Sequence, residues 1–120
     1  MTVNISDSPG RVNRKKVKAA VKFYAEFLMS RRLANNLRID VKFGDLIGHH
    51  DCEAMVNWED CNWRPRWFTI QLDKTLGMRT MLILLAHEMV HVKQHATGEA
   101  RDNLRKPNLF FWHGKTFDST

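Results

Sequence analysis

Apolar and polar positions alternate along the chain with two different periods, and the switches between them outline the fold. Val17, Ala20, Val21, Tyr24, Phe27 and Leu28 recur every three or four residues, which predicts one apolar helical face. Ser8-Pro9 suits a cap followed by a first helical residue, and Asn35-Asn36 suits an end, so a long helix is expected over residues 9–36. The period then changes to two. LRIDVKF (37–43), EAMVNW (53–58) and RWFTIQLD (66–73) alternate as strands do, with Phe68, Ile70 and Leu72 on one side of the third. GDLIGHHD (44–51) and EDCNWRP (59–65) read as turns between them. Asp73 to Thr75 can cap a second helix over 76–97, which Gly98 stops. RDNLRKPN (101–108) reads as a loop, and LFFWHGKTF (109–117) as a short aromatic extended segment. The expected order is helix, three strands, helix and tail: an α+β fold in a single domain over residues 1–120.

Composition adds two facts to this outline. No apolar leader is visible, and the longest strongly apolar run, MLILLA, is too short to span a bilayer, so a cytoplasmic protein without a membrane role is expected. The net charge of +6 is also lopsided. Nine Lys and Arg up to Arg38 face only Asp7 and Glu26, whereas the remainder carries ten basic and eleven acidic residues. Lys15, Lys18 and Lys22 recur along one helical stripe, with Arg11 and Arg14 near its start. Such a stripe can follow a phosphate backbone, so DNA is the expected partner of Arg14, Lys15, Lys18 and Lys22.

The densest chemistry lies in LLAHEMVHVKQH, residues 84–95. His87 and His91 are four apart, so a helix places both imidazoles on one face, able to share a Zn2+ ion. Glu88 lies beside the first histidine, where a carboxylate can take the proton of an attacking water. The apolar run before His87 predicts a buried helix, and a buried glutamate is costly without a partner or a function.

A catalytic zinc site needs a third protein ligand. His95 extends the four-residue spacing but lies about 12 Å along the axis from His87, too far for one ion to serve all three, and is expected to face solvent or a loop. Glu99 and Asp102 follow the Gly98 stop and could turn back. His113 follows a stretch long enough for the chain to reverse, and is favoured.

HEMVH and the later His113-Gly114-Lys115-Thr116-Phe117, a His-Gly with an aromatic residue four positions after the histidine, together resemble the SprT-like (Spartan-related) zinc metallopeptidases. That group includes a protease of DNA–protein crosslinks. The resemblance implies a zincin-like fold, with His87, His91 and His113 as zinc ligands and Glu88 as catalytic acid/base. No separate zinc ribbon is expected, as in the minimal versions that bacteriophages encode, which would put the protein in the host cytoplasm; a third ligand beyond Thr120 is the alternative to His113. In some of those, a W-x-G-K segment lacks the histidine and a later glutamate is the ligand.

The expected activity is therefore zinc-dependent peptide-bond hydrolysis, with strand 66–72 offering an edge to an extended protein or peptide substrate. The alternative is a non-catalytic nucleic-acid-binding protein with structural zinc, which would need four protein ligands. His49, His50, Cys52 and Cys61 match no common zinc module, and two cysteines make no disulfide framework. Trp58, Trp63 and Trp67 are expected to pack in the core; beside Arg64 and Arg66 they could instead stack single-stranded bases.

Overall fold

The computed structural model describes residues 1–50, 52–60 and 64–99, with His49 and His50 described in their backbone only. Four strands and four helices follow one another as β1 (Thr2–Ser6), α1 (Arg14–Leu28), α2 (Arg31–Asn35), β2 (Arg38–Gly44), α3 (Leu46–His50), β3 (Ala54–Trp58), β4 (Trp67–Asp73) and α4 (Met78–Ala96). The sheet order is β1-β2-β4-β3. β1 and β4 both run parallel to β2, and β3 runs antiparallel to β4. This four-stranded mixed sheet corrects the expected zincin-like layout of three strands behind one long first helix. β4 lies inside the sheet between β2 and β3, so it is not an edge; among the described residues the edges are β1 and β3.

Strand register explains the core. Val3 pairs with Ile39, Ile39 with Phe68 and Phe68 with Trp58, forming one row across the sheet. Ile5, Val41, Ile70 and Val56 form the next row, and Phe43, Leu72 and Ala54 a third. Paired residues point to the same face. That face is covered by α1 and α4, which also pack on each other. The opposite face is more polar: Asn4, Asp40, Thr69 and Asn57 form one row across it. There Asn4 Nδ2 and Trp67 Nε1 donate to Asp40, at 3.1 and 2.9 Å, while Thr69 Oγ1 donates to Glu59 at 2.8 Å.

The first helix starts later than its periodicity suggests. Asp7 adopts a left-handed φ of 59°, Val12 N–H bonds the Pro9 carbonyl, and the cap is Asn13, whose side chain accepts from Lys16 N–H at 3.1 Å. The long helix is also broken: Ser30 caps α2 by accepting from Leu33 N–H at 3.2 Å. Val17, Val21 and Ala25 are buried, whereas Phe27, expected on the same apolar face, is 77% exposed.

Asp73 does not cap α4. Its carboxylate accepts from Leu46 and Ile47 N–H at 2.9 and 3.0 Å and from Thr75 N–H at 3.0 Å, so it caps α3 and closes the turn after β4. Burial alone would push this carboxyl up, but the hydrogen bonds from Thr75, Ile47 and Leu46 hold it below the usual carboxylate range. The N-cap of α4 is Gly77, which has no side chain to offer. Arg11 ties the preceding segment down by donating to the carbonyls of Lys74 and Leu76. Among the described residues, no helix is long and apolar enough to cross a membrane.

Candidate metal centre

α4 carries the chemistry because of how its apolar stripe is spaced. Met81, Leu85, Glu88, Val92 and His95 follow one another by alternating steps of four and three, and all are buried. Such steps keep residues on one face of a helix, here the face turned to the sheet. Two of the five are polar. Glu88 has no exposed surface, and His95 is almost as deeply buried. His87 and His91 stand one turn apart on the adjoining flank and are half-buried. Solvent reaches the two imidazoles while the carboxylate between them in sequence stays within the protein.

His91 Nδ1 lies 3.0 Å from Gln94 Oε1. A carbonyl oxygen only accepts, so Nδ1 carries the proton and Nε2 presents its lone pair. A hydrogen bond that fixes the tautomer and ring orientation in this way is the usual support behind a metal-binding histidine. Burial pushes the His91 pKa down, the bond to Gln94 opposes this, and the nearby His87 adds to the lowering. The imidazole is thereby held in the neutral form that a metal requires.

His95 is not the solvated residue that the sequence suggests. Its ring packs against Trp58 on β3, with centroids 4.4 Å apart and planes tilted by 47°. It continues the buried stripe and packs at the sheet edge formed by β3, one turn beyond His91. Burial lowers its pKa to about 4, and His91 contributes further lowering. The unfolded chain takes up this proton near pH 6.5 and the folded chain only near pH 4. The unfolded state therefore binds more protons across that window, and stability is lost as the pH falls through it. The full difference corresponds to roughly 3 kcal/mol. In urea unfolding of metal-free protein, the parent should lose roughly 2–3 kcal/mol more than His95→Phe between pH 7.5 and 4.5. Equal losses would remove His95 as the source.

Among the described residues, no group of three or more His, Cys, Asp or Glu side chains assembles a complete metal site. The helix supplies two candidate ligands, His87 and His91, and the Glu88 carboxylate. Of the candidate third ligands, Glu99 follows the helix and is joined to Lys93 by an ion pair. His113 and Asp102 lie outside the described residues. So do Cys61, Trp63 and the side chains of His49 and His50, while Cys52 is buried. Two imidazoles one turn apart, one of them orientated, beside a buried carboxylate suit Zn2+ as a nitrogen-preferring ion.

The basic residues separate into two sets. Arg14, Lys15 and Lys18 line a cleft of about 310 Å³ against Val3, Asn4 and Ile5 of β1. Arg14 also donates to the Ile5 carbonyl, so part of its role is to hold β1 to α1. Lys22 borders a different, smaller cleft with Met1 and Glu26. Trp58 and Trp67 lie on opposite faces of the sheet by register, and the Arg38 guanidinium sits 4.2 Å over the Trp67 ring. They form no common stacking platform.

In comparisons with known proteins, no family model matches the chain. No curated protein and no solved structure matches it either.

Proposed function

We propose that the protein is a zinc metallopeptidase of the SprT-like kind, acting in the cytoplasm on proteins bound or crosslinked to DNA. The observation that carries this reading is Glu88, a carboxylate with no exposed surface set between His87 and His91 on one buried helix. Glutamate is seldom fully buried, and one that is buried within H-E-x-x-H spacing argues for a chemical role.

His87 and His91 would hold zinc through their imidazoles, with His113 as the third ligand. Bound there, zinc would supply a Lewis acid for the scissile carbonyl and lower the pKa of water towards about 7. Gln94 keeps His91 in the ligating tautomer. Glu88 takes the proton of the attacking water and delivers it to the leaving amine nitrogen as the C–N bond breaks. Burial excludes bulk water from that carboxylate. An extended substrate pairs with β3, the antiparallel edge strand whose end touches α4 through Trp58 and His95.

DNA binding is assigned to Lys15, Lys18 and Lys22, which are exposed along α1, with Arg14 at its start. The test is cleavage of a DNA-bound protein, with and without duplex DNA, before and after zinc is removed by a chelator. Chelation should abolish cleavage and added zinc should restore it. Lys15→Glu/Lys18→Glu/Lys22→Glu should retain zinc and lose DNA binding, along with any stimulation by DNA. Each lysine that no longer neutralises a phosphate should reduce the salt slope of binding by about one. A triple variant that binds DNA like the parent at every salt concentration would leave a general peptidase. Zinc retained without any hydrolysis would favour a non-catalytic nucleic-acid-binding protein.

A further inference from the structure

The surface between α1 and α4 carries an apolar groove that the catalytic reading does not use. Phe23 is 64% exposed and Phe27 77%, and their rings stack at 6.2 Å between centroids with planes 14° apart. With Tyr24 and Leu28 of α1 they face Ala86 and Val90 of α4 across a groove of about 400 Å³. Ala86 and Val90 immediately precede His87 and His91 in sequence. One wall of the groove is thus built from the same two turns of helix as the candidate ligands.

We infer that this groove is the seat of the chain's own aromatic segment, Leu109-Phe110-Phe111-Trp112, and that its docking delivers His113 to the flank of α4 that carries His87 and His91. The segment lies outside the described residues. Three facts select it over other occupants. First, four consecutive large apolar residues match a groove lined by aromatic and aliphatic side chains. Second, the chain is long enough. The ten residues from Glu99 to Leu109 reach up to about 33–36 Å when extended, whereas Ala86 lies only about 17 Å back along the helix from Thr97. Third, His113 directly follows Trp112, so a segment anchored beside Ala86 and Val90 has its histidine within about 10 Å of either ligand. A tethered segment also competes at an effective concentration on the order of millimolar, well above that of a second copy in dilute solution.

The docking stands on the groove and the segment alone; only the zinc consequence rests on the metallopeptidase reading. The test is Phe23→Ser/Phe27→Ser in the full chain, two exposed positions whose replacement leaves the core intact. Hydrogen exchange is followed on metal-free protein, where zinc cannot hold the tail. Amides of residues 109–112 should exchange at least about tenfold faster in the double variant than in the parent. Zinc binding should weaken about tenfold, although neither phenylalanine is a ligand. Phe110→Ser/Phe111→Ser should reproduce both effects. Equal exchange in parent and double variant would overturn the inference, as would a parent dimer that the double variant dissolves, since the groove would then belong to a second copy. Should His113→Ala leave zinc affinity unchanged while the exchange difference persists, the docking is supported and the third-ligand assignment fails.

Discussion

Glu88→Gln is expected to keep its zinc and to lose peptide hydrolysis by roughly 10²–10⁴-fold, the usual contribution of a positioned general base. Gln is nearly isosteric with Glu and keeps a hydrogen-bonding head, so the buried site retains its shape. It cannot take a proton from water. The side chain keeps its volume at a position with no exposed surface, so the variant should still fold and unfold cooperatively. The combination is diagnostic: lower activity and unchanged metal in a folded protein. A variant that loses its metal would make Glu88 a ligand. One that keeps full activity would leave its burial without a catalytic explanation.

Zinc affinity should fall in a graded order along α4. His87→Ala and His91→Ala each remove a proposed ligand and should cost more than the roughly 10–100-fold expected for loss of an outer-shell partner. Gln94→Leu removes only the acceptor for His91 Nδ1 and should fall within that 10–100-fold range. His113→Ala should resemble His91→Ala. His95→Ala should leave zinc affinity unchanged but destabilise the fold by about 2–4 kcal/mol, because it opens a cavity against Trp58. Calorimetric zinc titration and urea unfolding on the same variants separate the two effects. A His95→Ala protein with normal stability and no zinc would invert the assignment of the helix faces.

The strands are legible in the sequence because their alternation is strong. β2, β3 and β4 begin and end within about a residue of the positions read from period-two patterning. β1 is not, because five residues gain their strand geometry only by pairing with residues 38–42, far away in sequence. α3 escapes for a similar reason: its amino end is capped by Asp73, 27 residues from Leu46. The break between α1 and α2 is visible in Ser30, but the apolar pattern runs on through it and masks it. That same pattern places Phe27 in the core. In the fold, Leu28 and Tyr24 satisfy the packing of helix on helix, and Phe27 is left on the surface beside Phe23.

In the site, the four-residue spacing of His87 and His91 and the position of Glu88 are fully legible, since they depend only on helix geometry. The burial of His95 is readable from the same sequence. Counting four and three from Met81 through Leu85, Glu88 and Val92 leads to it, whereas the spacing of the histidines alone points elsewhere. Gln94 as the partner of His91 is equally readable from its three-residue spacing. Which strands lie at the sheet edges is not, because sheet order is set by pairing between distant segments.

The most direct measurement is zinc content together with X-ray absorption at the zinc edge on the purified full chain. One zinc per chain is expected, in a shell of nitrogen and oxygen at about 2.0–2.1 Å with the outer scattering of two or more imidazoles. A chain that takes up no zinc, or a zinc shell with sulfur at about 2.3 Å from Cys52 or Cys61, would contradict the site built on His87 and His91.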